Sequence, residues 1–168
     1  LVLDDGSWAI YVGKSKNNRP TNEILRATAP EPTGPWTWDD EPIYIADENG
    51  WDAQILPEMM ARTPDGGYLM VYETNWCTDT AIGLLYSDDG LTWEPFNDPA
   101  TNEEPFALSA PILAPTGNDE DWDRMSVTSP LIFATETGYE LFYIGQYRNI
   151  GAPMSLFNWP RWRELGAV

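Results

Sequence analysis

The chain has 168 residues, 42% hydrophobic and 13% aromatic, enough to bury a sizeable core and too apolar for a disordered polymer. Nine basic against 27 acidic residues give a net charge of −18, which argues against a nucleic-acid backbone or an anionic membrane surface as a partner. Histidine is absent and Cys77 is the single cysteine, which excludes histidine general bases, Ser-His-Asp and Cys-His machinery, an internal disulfide and a thiolate metal cage.

In chain order, a block of glycine followed by a short hydrophobic strand ending in tyrosine recurs three times: Gly6 to Tyr11, Gly67 to Tyr72 and Gly138 to Tyr143. Trp51-Asp52 and Trp122-Asp123 precede the second and third copies at the same spacing. Repeats of this size, built from strands and turns, predict an all-β chain of radial or stacked sheets. No segment carries a sustained helical period of apolar residues. No apolar run is long enough to span a membrane.

The first unit, roughly residues 1–50, predicts strands over Trp8–Val12 and Glu23–Thr28, a turn at Gly34-Pro35-Trp36 and a closing strand over Pro42–Ile45. Its first strand is missing, and Leu1 lies almost inside the repeat, so the chain reads as a segment of a longer protein. The second unit, roughly 51–121, predicts a strand from Ile55 to Met60 broken by Pro57, a tight turn at Thr63–Gly67, and strands over Tyr68–Tyr72 and Ala81–Ser87. Asp88-Asp89-Gly90 makes the next turn, 94–110 an acidic, proline-bearing loop, and Pro111–Leu113 the closing strand. The third unit, roughly 122–148, starts at Trp122-Asp123. Residues 149–168, with Trp159 and Trp162, fit no repeat.

Among candidate functional residues Glu58 stands first: a charge inside the apolar strand Ile55–Met60 is either paired, with Arg62 as the near partner, or functional. Ser129 occupies roughly its place in the third unit. Asp52 and Asp123 recur after tryptophan, and a residue repeated in every unit is as readily architectural as catalytic. Glu73 and Asp79 follow a strand end, where a solvated loop is the plain alternative to a site. Nine tryptophans supply core and, where exposed, platforms for a sugar face; Trp51, Trp76 and Trp122 are the candidates beside the carboxylates. The acidic stretch Asn118–Asp123 lacks the spaced pattern of a calcium loop, so no metal or cofactor is assigned.

The hairpin Ala81 to Trp93, with its Ser-Asp-Asp-Gly-Leu-Thr-Trp turn, resembles the third-to-fourth strand hairpin of five-bladed β-propeller glycosidases, the clan that includes glycoside hydrolase families 43 and 32. Pro57-Glu58 before Gly67–Tyr72, and Trp122-Asp123, Pro130 and Gly138–Gly145, resemble first and second strands of that fold. The likeness covers roughly residues 1–147. It implies about three blades of a β-propeller and hydrolysis of a pentose- or fructose-containing oligo- or polysaccharide through paired carboxylates in a central funnel. In that scheme Glu58 is the general acid, Asp52 and Asp123 are the further catalytic candidates, and Trp51, Trp76, Trp122 and Ser129 contact substrate. A non-catalytic carbohydrate-binding propeller, a protein-interaction propeller and a sialidase-like propeller stay open as alternatives. Secreted and periplasmic locations both suit such an activity, and the sequence leaves localisation and oligomeric state open.

Overall fold

The computed structural model describes residues 1–74, 80–101, 103–147 and the backbone of 165–167. All regular structure among them is β: β1 (Trp8–Lys16), β2 (Arg19–Ala29), β3 (Thr37–Trp38), β4 (Tyr44–Ile45), β5 (Ile55–Arg62), β6 (Tyr68–Thr74), β7 (Ile82–Ser87), β8 (Glu94–Pro95), β9 (Ser126–Thr135), β10 (Gly138–Gln146) and β11 (Leu165–Ala167). They form three antiparallel sheets: β1-β2-β3 with β4 also on β2, β5-β6-β7-β8, and β9-β10-β11. No helix among these residues is long and apolar enough to cross a membrane.

The sheets stack face to face, with the middle one between its neighbours. Period-two alternation in β6 sends Tyr68, Met70 and Tyr72 into a core with Ala9, Tyr11 and Ile24 of the first sheet. The same alternation sends Leu69 and Val71 into a second core with Val127, Ile132, Leu141 and Tyr143 of the third sheet. Every residue of β6 is therefore buried. Such a strand reads as a continuous apolar run, because both of its faces are covered.

The outermost strand is split in the same way in the first two sheets. In the first, β3 pairs with Ala27–Thr28 and β4 with Glu23–Ile24. In the middle sheet, β8 pairs with Leu85–Tyr86 and Leu113 returns to bridge Ile82. The expected loop over 94–110 is thus an excursion from a single outer strand, and its first two residues are still paired. The third sheet continues past the expected units, because Leu165–Ala167 pairs with β10.

The structure corrects the first copy of the repeat. Trp8 lies opposite Val2 and Tyr68 opposite Arg62, so these residues start equivalent strands. The turn glycines with left-handed φ are Gly6 and Gly66, not Gly67. Aligned on the turn, Tyr11 matches Val71, and Val12 matches Tyr72. A slip of one residue turns a strand side chain to the other face. Tyr11 accordingly faces the middle sheet and donates to the Gly90 carbonyl oxygen at 2.8 Å. Only Tyr72 and Tyr143 are true equivalents, lying opposite Gly83 and Gly166.

Gly83 is required by the Tyr72 ring. A Cβ there would lie 2.1 Å from Tyr72 Cζ, with no flexible atom to yield. Gly83→Ala should destabilise the fold by about 3 kcal/mol, the upper range for overpacking a filled core, read as a fall in the urea midpoint.

Candidate functional site

The candidate site starts from a β-bulge. Pro57 has no N–H for the ladder, and the register slips between Pro57 and Met59, so Glu58 is the extra residue in β5. The bulge takes Glu58 out of the in-and-out alternation and leaves it exposed. Leu56 and Pro57 lie opposite Glu73 and Tyr72, which sets Glu58 beside Glu73 across the ladder. The third sheet is irregular at the same place: its register slips opposite Tyr143, where Ser129 has φ 52°.

Glu73 is buried within β6 and is not the solvated loop residue expected from its position near a strand end. Its Oε2 accepts a hydrogen bond from the Ser129 backbone N–H at 2.8 Å, joining the middle and third sheets. Burial pushes its carboxyl above the usual range, and that N–H partly offsets the rise. Although the Glu58 side chain as a whole is exposed, its carboxyl is partly removed from water at the sheet junction, and that desolvation, followed by the charge of Glu73, pushes it up to about 7. Its expected ion-pair partner is engaged elsewhere, since Arg62 bonds Asp4 and the Tyr68 hydroxyl. Glu58, Glu73 and Ser129 are thus brought together at the junction of two sheets.

The two Trp-Asp steps are placed differently. Asp52 is fully buried, and its Oδ2 accepts from the Tyr72 hydroxyl at 2.8 Å and from Ser109 Oγ at 3.0 Å. Its pKa is raised, with burial the largest cause. Asp123 is buried too and accepts from the Tyr143 hydroxyl at 3.1 Å. Burial, with Asp123 beside it, pushes the Tyr143 hydroxyl up to about 12. Trp51 lies in the core, stacked on Tyr72 with ring centres 6.1 Å apart, and donates from Nε1 to Ser109. Trp122 is half-buried and stacked on Tyr143 at 5.3 Å. These contacts are packing and anchoring contacts. Trp76, Cys77 and Asp79 lie outside the described residues.

The turn motif of the middle sheet has a local cause. Asp89 Oδ1 accepts from the Leu91 and Thr92 N–H groups at 2.7 and 2.8 Å, and Gly90 N–H donates to Ser87 Oγ at 2.8 Å. Those bonds hold the Asp89 carboxyl below its usual range. The motif is therefore a self-bonded turn that presents the Gly90 carbonyl to Tyr11. Among the described residues no group of His, Cys, Asp or Glu is arranged to hold a metal ion.

Sequence reasoning ranked Glu73 low and did not single out Ser109. The identical spacing from each Trp-Asp to its tyrosine was the signal that the carboxylate and the hydroxyl meet. No such signal marked Glu73, because its partner is a backbone N–H from another sheet.

Comparison with protein-family models gives no match, and comparison with curated proteins gives none. Among solved structures the chain is similar to a crystal structure of a glycosyl hydrolase from Bacteroides ovatus, with a TM-score of 0.38 and 15% identity, over 86% of this chain and 58% of that one. The chain therefore spans less than two thirds of that protein's length.

Two measurements check this electrostatic arrangement. A carboxyl raised on folding binds protons more tightly in the native state, so it lowers stability as pH rises from the unfolded value through the folded one. Glu58 should therefore make the protein less stable at pH 7.5 than at pH 4.5, and Glu58→Gln should flatten that part of the melting-temperature profile. Tyr72→Phe removes a donor from buried Asp52 and should cost roughly 1–3 kcal/mol in urea unfolding.

Proposed function

We propose that the chain is part of a five-bladed β-propeller glycoside hydrolase, with its three sheets as successive blades and Glu58 as the general acid. The substrate class is a pentose- or fructose-containing glycan, an arabinoside, xyloside or fructoside. The observation that carries the reading is Glu58 on its bulge beside Glu73, with no ion-pair partner among the described residues and a pKa raised to about 7. Cleavage of a glycosidic bond needs a carboxylic acid that keeps its proton near neutral pH and gives it to a poor leaving oxygen. It also needs negative charge nearby for a cationic transition state.

Glu58 suits the first task and Glu73 supports it. The Glu73 charge, fixed by the Ser129 N–H, disfavours ionisation of Glu58 and so holds the proton in place. Asp52 and Asp123, each bonded by a tyrosine, serve in this reading as scaffold that sets the sheets. The second catalytic carboxylate, base or nucleophile, is required roughly 5–10 Å from Glu58.

The test is hydrolysis of aryl arabinofuranosides, xylosides and fructosides by the protein carrying this chain. Glu58→Gln should lower turnover at least about 100-fold with the fold retained, the scale of losing a general acid. Undiminished hydrolysis would sink the assignment. Glu73→Gln should move the alkaline limb of the kcat/KM profile to lower pH, because removing the neighbouring charge lets Glu58 ionise earlier.

A further inference from the structure

The carboxyl of Asp52 is satisfied on one side only. Its Oδ2 accepts from the Tyr72 and Ser109 hydroxyls, and Ser109 Oγ in turn accepts from Trp51 Nε1. Its Oδ1 has no hydrogen-bond partner, although the residue is wholly buried. Among the described residues it is the only unpartnered buried side-chain atom that belongs to an ionisable group. A carboxylate oxygen in that position bears the full cost of desolvation, and such an atom points to an internal water or ion.

The surroundings of Oδ1 come from the first and middle sheets and the loops joining them, so the place is enclosed within the chain. A Cβ on Gly50 would stand 2.9 Å from Oδ1 and 3.3 Å from both the Cβ and the main-chain oxygen of Asp47. Gly50 lacks the left-handed φ of the turn glycines, so space beside the carboxylate, not backbone conformation, calls for glycine here. The Asp47 main-chain oxygen accepts from the Gly50 N–H at 3.1 Å and keeps a second lone pair. From the first sheet, Tyr44 lies opposite Ile24 and packs against the core shared with the middle sheet. Its hydroxyl makes no hydrogen bond. Burial, followed by the charge of Asp52, pushes that phenol above its usual range.

We propose that an internal water molecule sits between Asp52 Oδ1 and the Tyr44 hydroxyl, with the Asp47 main-chain oxygen as its third partner. The water donates to Oδ1 and to the Asp47 oxygen and accepts from the phenol. Buried waters typically make about three hydrogen bonds of this kind to groups that are otherwise unsatisfied. A metal ion fits less well, because among the described residues no three acidic, histidine or cysteine side chains converge. The water thereby ties Tyr44 of the first sheet to the carboxylate that anchors the middle one.

A crystal structure of the protein carrying this chain should show a water about 2.6–3.2 Å from both Asp52 Oδ1 and Tyr44 Oη. In solution, water-oxygen magnetic relaxation dispersion should count one fewer long-lived water in Gly50→Ala than in the wild type, because the added methyl crowds it out. Near-ultraviolet circular dichroism confirms that the variant is folded. Tyr44→Phe removes one partner without adding volume and serves if Gly50→Ala unfolds; it should shorten the residence time of that water severalfold. An unchanged count in folded Gly50→Ala overturns the proposal, and so does an unchanged residence time in Tyr44→Phe. A crystal structure in which the Tyr44 hydroxyl bonds Asp52 directly, or in which a metal ion occupies the place, also overturns it.

Discussion

The structure depends on a buried carboxylate held by a buried phenol. Asp52 and Asp123 sit below the surface at the entrance to the middle and third sheets, each accepting from a tyrosine of the second strand. An aspartate out of water is costly unless it is bonded, so the loop entering each sheet has little freedom once the sheet forms. The neighbouring tryptophan stacks on the same tyrosine, which fixes the loop from a second direction. At Asp52 the hold extends further. Ser109 bonds both Asp52 and Trp51, anchoring the return of the long excursion from the outer strand.

This scaffold needs small residues where the rings lie. Gly83 accommodates the Tyr72 ring, and a Cβ on Gly145 would stand 2.1 Å from Trp122 Cζ3. Ring, carboxylate and glycine form one unit, so a change in any of them disturbs the packing of the whole sheet. The same unit sets the interfaces. With Tyr72 turned towards the first sheet, Leu69 and Val71 must turn towards the third.

Against this rigid background the chain's acidity acquires contrast. Many of its carboxylates point into water or, like Asp89, bond the N–H groups of their own turn. Glu58 does neither. It stands on a bulge created by a proline, next to a buried glutamate, and the two carboxyls meet different surroundings. One is held by a backbone N–H from the next sheet. The other, Glu58, is pushed up to about 7, first by partial removal of its carboxyl from water and then by the charge of its neighbour.

Much of this was legible in the residues themselves. Alternating apolar strands, Asp-Gly turns and a proline inside an apolar strand specify antiparallel sheets and a break at Glu58, because they act through local backbone geometry. Two matched Trp-Asp-to-tyrosine spacings marked the scaffold. What the sequence did not decide was register and contact across sheets. The first tyrosine resembled the other two, yet the turn aligns Gly6 with Gly66, so Tyr11 comes one residue earlier in its strand than Tyr72 and lies on the opposite face. Trp51 resembled an open platform, yet packing made it core. Glu73 resembled a loop residue, yet both faces of its strand are covered, and its partner is the N–H of Ser129, distant in the chain. The sequence alone determined which segments become strands and where they bend, since those are properties of adjacent residues. Only the tertiary structure decided which carboxylates are buried, which are bonded and which hold their protons more tightly than usual, since desolvation and charge depend on what the rest of the chain brings near.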